Sequence, residues 1–158
     1  MNLTFNAITE AEELQMQTCI ASAMSRLRAR PGDHRSRILR YGWDYVKPTI
    51  WRIIPEWVWI PRAIDRGDFD NISINEYQRG QAITPHIDSE KFGDVYILSL
   101  LADSVMRFTS QTGEAQSFAL PRRSLAVMSG ELRRKWRHET LPLESDLRYS
   151  VVYRRKIE

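Results

Sequence analysis

A single cysteine, Cys19, stands in 158 residues. That excludes an internal disulfide framework and suits a reducing compartment. No apolar run approaches the roughly 20 residues that cross a bilayer; the stretch from Val95 to Ala102 is about the longest. The first residues include Asn2, Glu10, Glu12 and Glu13, where a signal peptide carries basic residues and then an apolar core. Glycine and proline number only seven each, which excludes collagen-like and low-complexity compositions. These absences lead us to expect a soluble, cytoplasmic protein (nuclear as an option in a eukaryote), a monomer that avoids membranes. A chain this long buries about 70% of its unfolded surface, enough for a single domain spanning 1–158 without staples.

Lysine is also scarce: four, against nineteen arginines. Arginine offers a flat fork of donors that matches phosphate and carboxylate, whereas lysine is a hydrated point charge. The net charge of +3 is unevenly spread, with 3 basic and 6 acidic residues in 76–120 but 10 and 5 in 121–158. A basic C-terminal third beside an acidic middle is compatible with a polyanionic partner and equally with a solvated mixed-charge surface.

Thr9 and Glu12 form a T-x-x-E capping box. Met16, Ile20, Ala23, Met24 and Leu27 then recur at helical spacing until Pro31-Gly32, so a packing helix is expected within 1–35. Residues 36–70 are rich in tryptophan and broken by Pro48, Pro55 and Pro61, which reads as a short lid or cover. Within 71–158 seven short β-type runs follow: Asn71–Tyr77, Thr84–Ile87, Val95–Leu101, Val105–Phe108, Gln116–Leu120, Ser124–Met128 and Leu147–Arg154. So many strands at such spacing predict a mainly β jelly roll with N-terminal packing helices. In the first run Asn71, Ser73, Asn75 and Tyr77 share one face; in the last Arg148, Ser150, Val152 and Arg154 do. A solvated face and a polar barrel lumen are both consistent with this.

The three histidines are His34, His86 and His138. His86 and Asp88 form an H-x-D, which alternation places on one strand face, and His138 lies 52 residues downstream. Two imidazoles and a carboxylate are the usual cradle of non-haem Fe(II) oxygenases, because they leave open positions on the metal.

The segments I-N-E-Y-Q-R-G-Q-A-I-T-P-H-I-D (74–88), L-P-R-R-S-L-A-V-M-S-G-E (120–131), W-R-H (136–138) and R-Y-S-V-V-Y-R (148–154) together resemble the AlkB-like family of Fe(II)/2-oxoglutarate dioxygenases. The resemblance covers about residues 37–155. It implies a double-stranded β-helix core, iron held by the catalytic triad His86, Asp88 and His138, and use of O2. It also implies that Asn75, Tyr77, Ser150, Arg148 and Arg154 bind 2-oxoglutarate. About 20 Å of strand separates the two arginines, so their extended side chains can bracket a diacid between them. Ser150 stands where the family usually has asparagine, and Glu139 where it usually has glycine.

For the substrate, the resemblance implies an alkylated nucleic acid that is oxidatively demethylated with release of succinate, CO2 and formaldehyde. Trp43 and Tyr45 fall where the family sets aromatics at the pocket mouth. Glu90 reads either as a base-facing carboxylate or as a solvated loop residue. Arg122 and Arg123, with the run 133–137, are candidates for gripping phosphates. The compact lid favours single strands over duplex. Two alternatives stand beside this: a 2-oxoglutarate-dependent hydroxylase of modified tRNA, protein or a small molecule, and a non-catalytic jelly-roll binding module.

Overall fold

The structure is a computed structural model, and it describes residues 1–27, 37–64 and 69–157. Pro31-Gly32, the expected helix stop, and His34 lie outside the described residues. The elements run β1 (Asn2–Thr4), α1 (Glu10–Ser25), β2 (Arg37–Trp43), β3 (Trp51–Arg52), β4 (Asn71–Gln78), β5 (Ile83–His86), β6 (Phe92–Leu100), β7 (Ser104–Thr109), β8 (Ala115–Leu120), β9 (Leu125–Met128), α2 (Gly130–Arg134), β10 (Arg137–Thr140) and β11 (Leu147–Lys156).

Two antiparallel sheets make the jelly roll. The larger has the order β1-β9-β6-β11-β4-β2-β3, the smaller β5-β10-β7-β8. All seven expected strands are present within a few residues. β1, β2, β3 and β10 are additional, and β2 carries residues expected as cover into the main sheet beside β4. Among the described residues upstream of β2 there is one helix, α1, where packing helices were expected.

The centre of the large sheet answers the question left by the alternating pattern. β11 lies between β4 and β6, with Arg148 opposite Tyr77, Ser150 opposite Asn75 and Val152 opposite Ser73. Opposed residues in an antiparallel pair share a face. Asn71, Ser73, Asn75, Tyr77, Arg148 and Ser150 are all buried, so this polar face lines the lumen. The other face, with Ile72, Ile74, Tyr149, Val151 and Tyr153, packs on Met16, Ile20 and Met24 of α1. Trp57 and Trp59 cover the same cluster. A second apolar cluster, including Val95, Ile97, Met106 and Phe108, fills the barrel between the sheets.

α1 is fixed at both ends of its first turn. The Thr9 side chain accepts from the Glu12 amide while the Glu12 carboxylate accepts from the Thr9 amide, as the capping box predicted. One turn on, the buried Glu13 carboxylate accepts from the Leu101 amide at 2.7 Å and from the Arg122 guanidinium at 2.7–3.1 Å. Leu101 has φ +72, a backbone state that few apolar residues adopt, and Glu13 is what holds its amide. Glu13→Ala is expected to cost about 2 kcal/mol, because it orphans a part-buried amide and half of an ion pair. Urea unfolding checks this, and an unchanged midpoint would refute it.

Candidate active site

His86 ends β5 and His138 lies on β10, and the two residues are direct cross-strand partners. Their rings sit 4.3 Å apart, centroid to centroid. Asp88 lies two residues beyond the end of β5, so strand alternation is not what brings it to His86. The connection into β6 turns it back, and its Oδ1 lies 3.6 Å from His86 Nε2. One ligating atom from each of the three residues falls within 4.8 Å of the others.

The electrostatics suit a cation. His86 Nδ1 lies 2.8 Å from the Thr84 carbonyl. A proton held there leaves the Nε2 lone pair facing the cluster, the arrangement that orients metal-ligating imidazoles. The Asp88 hydrogen bond raises the His86 pKa against the opposing effect of burial. Burial lowers that of His138 to about 4, with Asp88 opposing and His86, Arg154 and Arg133 reinforcing, so the ring is neutral. Burial alone would raise the Asp88 carboxyl, but Arg154 and the two histidines hold it far below the usual carboxylate range. His138 Nδ1 is buried without a hydrogen-bond partner.

The lumen face supplies a second polar group beside the triad. Arg148 is 1% exposed, donates from Nε to Ser99 Oγ at 2.9 Å and lies 5.2 Å from the centre of the Tyr77 ring. Its Nη1 and Nη2 make no hydrogen bond of good geometry, the Tyr77 hydroxyl being the one group that interacts with the guanidinium there. A buried guanidinium with two donor groups so poorly satisfied is costly unless an anion meets it. Arg154 contacts both Asp88 oxygens at 3.4 Å and donates to Asn71 Oδ1 and Ser73 Oγ. Asn75, Tyr77, Ser150 and Arg154 line a cavity of about 410 Å³ together with all three triad residues. An iron ion suits the two-imidazole, one-carboxylate set. A dicarboxylate suits the lumen arginines.

The sequence places Arg133 in a run expected to grip phosphates, but its role is different: it is 2% exposed and turned inward. From α2 it donates to the carbonyls of Asp88, Ser89, Phe92 and Gly93 at 2.7–3.3 Å. It clamps the whole turn that carries Asp88. Arg133→Met is expected to cost about 3 kcal/mol by freeing four carbonyls and to weaken iron binding about tenfold through misplacement of Asp88. Calorimetry with and without metal separates the two effects. Equal metal affinity in the variant would remove the positioning role.

The remaining predicted residues fall into two groups. Tyr45 lines the cavity, and its ring meets Phe92 edge-on at 5.4 Å. Trp43 also meets Phe92 edge-on, at 5.8 Å, and is not part of the cavity lining. Glu90 is exposed on the turn after Asp88, outside the cavity lining. Arg122 and Arg123 are placed against α1, bound to Glu13 and Glu10 at 2.7 and 2.6 Å. They serve helix docking and are not brought to the cavity. Phe92 and Arg40, absent from the sequence-based set, line it.

Jelly-roll strands around a His-Asp-His cluster and a basic lumen define a metal-dependent oxygenase scaffold. The chain belongs to the 2OG-Fe(II) oxygenase superfamily, whose profile matches residues 7–155, and it is AlkB-like. Its cofactors are Fe(II) and 2-oxoglutarate, with O2 as oxidant. This sets aside the non-catalytic module. A Xenopus tropicalis protein named tRNA (carboxymethyluridine(34)-5-O)-methyltransferase alkbh8 is 40% identical over 90 residues, which cover 56% of this chain and 14% of that protein. The alkylated DNA repair protein ALKBH8 homolog of Arabidopsis thaliana is 25% identical, over 83% of this chain and 47% of that one. The chain thus spans less than half of these relatives. The solved structure of OsALKBH1 superposes with a TM-score of 0.65 at 13% identity, covering 98% of this chain and 97% of the other. Among the described residues no helix is long and apolar enough to cross a membrane.

Proposed function

We propose that this enzyme oxidises an alkyl substituent on a nucleobase of a single-stranded nucleic acid, demethylating the base when the carbon is borne on nitrogen. The observation that carries this reading is the open cavity at the triad, flanked by the Tyr45 and Phe92 rings, which suits a base taken out of its stack. Bound iron, 2-oxoglutarate and O2 supply the oxidising chemistry, with succinate and CO2 released.

The protein's own groups bind and orient. In this reading His86, Asp88 and His138 hold the iron. Arg148 and Tyr77 take one carboxylate of 2-oxoglutarate, and Arg154 with Asn75 orders the other end, with Ser150 between them. Arg154 then has two tasks, since it also steadies the Asp88 carboxylate. Tyr45 and Phe92 exclude water and orient the base.

The short β3 and the compact segment around it leave little to grip a duplex, which favours single strands. A second reading, stable hydroxylation of a modified tRNA uridine, is favoured by the name carried by the vertebrate relatives. One assay tests both. Protein with Fe(II), 2-oxoglutarate and ascorbate is offered methylated single-stranded DNA, duplex DNA, RNA and tRNA. Formaldehyde with loss of a methylene supports demethylation, and gain of one oxygen supports hydroxylation. Succinate formed without any change in the nucleic acids would overturn the nucleobase reading.

A further inference from the structure

Several arginines of the described surface are neutralised locally: Arg37 by Glu76, Arg52 by Asp44 and Arg107 by Glu139. The cations around the cavity mouth are different. Lys91 and Lys156 both lie over the Trp43 ring, at 5.9 and 5.1 Å from its centre. Lys91 also donates to the Tyr45 carbonyl at 3.0 Å. Neither ammonium group has a carboxylate partner among the described residues. Trp43 touches Phe92, and Phe92 touches Tyr45, so this pair of charges stands one ring away from the cavity. On β2, Arg40 lines the cavity, opposite Ser73 in the register, and has no ion pair among the described residues.

Two carboxylates on neighbouring segments, Asp44 and Asp70, are already engaged. Asp44 accepts from Arg52 and from the Val46 and Lys47 amides, and Asp70 accepts from the Lys156 backbone amide. Glu90, beside Lys91 in sequence, is exposed and adds a negative charge to the same turn. Unpaired cations held by an aromatic ring beside a base-sized cavity are the arrangement that single-stranded polyanions meet elsewhere.

We propose that Arg40, Lys91 and Lys156 form a phosphate clasp that holds the backbone of a single strand while its base enters the cavity. This rests on the nucleobase reading above and adds where the flanking phosphates lie. The ligand is therefore a polynucleotide, and a free nucleotide is the alternative source of the same phosphate chemistry.

The test is binding of an unmodified fluorescent RNA 10-mer, measured by anisotropy from low to moderate salt, with whole protein. Each phosphate contact to a single strand contributes about 0.7 to the slope of log affinity against log salt. The double variant Lys91→Gln/Lys156→Gln is expected to lower the slope by about 1.4, and Arg40→Gln by a further 0.7 or so. Lys91→Arg/Lys156→Arg is expected to restore it, and Glu90→Gln to tighten binding. Arg79→Gln, which removes a charge paired with Asp146 away from the mouth, is expected to leave the slope unchanged. Melting of each variant within about 3 °C of the parent confirms that folding is intact. A parental slope in the double variant would overturn the clasp and leave the nucleobase reading standing. No binding by the parent protein would overturn both. Displacement of the 10-mer by a nucleoside 5′-monophosphate as well as by unlabelled strand would overturn the polynucleotide assignment.

Discussion

Replacing Asp88 with alanine is expected to strip the protein of iron and to lower oxygen-dependent succinate formation more than 100-fold. The carboxylate supplies the only anion among the three clustered donors, and loss of groups that merely support a metal ligand already costs 10- to 100-fold. The variant also removes the acceptor shared by Arg154 and His86. Arg154 would then keep Asn71 and Ser73, so the strand face should remain in place and the fold should survive. Metal analysis, succinate assay and circular dichroism on one preparation decide the matter. Full metal content and turnover in Asp88→Ala would refute the triad.

Arg148→Met is expected to separate cosubstrate binding from folding. In the parent protein the buried guanidinium leaves Nη1 and Nη2 without a hydrogen bond of good geometry, which disfavours the apo fold by about 1–3 kcal/mol. Methionine matches the shape and needs no acceptor, so apo Arg148→Met is expected to melt at or above the parent. The same change removes a desolvated charge pair to a carboxylate, a loss of at least about 2 kcal/mol, so the 2-oxoglutarate affinity should fall about 30-fold or more. Ligand linkage makes the contrast visible. 2-Oxoglutarate at 100 times the parent's dissociation constant stabilises the parent by about 2.7 kcal/mol, and a variant weakened about 30-fold by only about 0.9 kcal/mol, so a full parental shift is the result to exclude. Such a shift retained by Arg148→Met would show that the diacid lies elsewhere.

Much of this architecture is legible in the sequence, for identifiable reasons. Strands β4 and β11 alternate with only Glu76 and Val152 out of pattern, so their two faces are legible from the sequence. What alternation withheld was direction, since a polar face buried around a charged ligand has the same pattern as one facing water. β2 was missed because R-I-L-R-Y-G-W mixes arginine with aromatics, and β10 because R-H-E-T is short and polar. Both are held by neighbours on either side, an influence that local pattern does not carry. The H-x-D was noticed for a reason that does not hold, because Asp88 lies past the strand and is returned by a turn. That turn owes its shape to Arg133, forty-odd residues downstream in a basic run where one side chain turns inward and Arg134 stays out. Likewise Arg122 and Arg123 gave no sign that Glu10 and Glu13, more than a hundred residues upstream, would claim them.

Gly42 gives the mouth an unexpected kind of permanence. It has φ +77, and a Cβ there would come within 2.1 Å of the Asp70 carbonyl oxygen. Next to it the Trp43 carbonyl accepts from Asn71, whose oxygen accepts from Arg154. Position 42 is thus closed to every other residue, while at the tip of the hairpin just beyond it Val46 is 72% exposed and free to change. The two sit side by side as a fixed hinge post and an exchangeable panel. Sequence can vary at the exposed tip of the panel while the post keeps Asn71 and Arg154 in place.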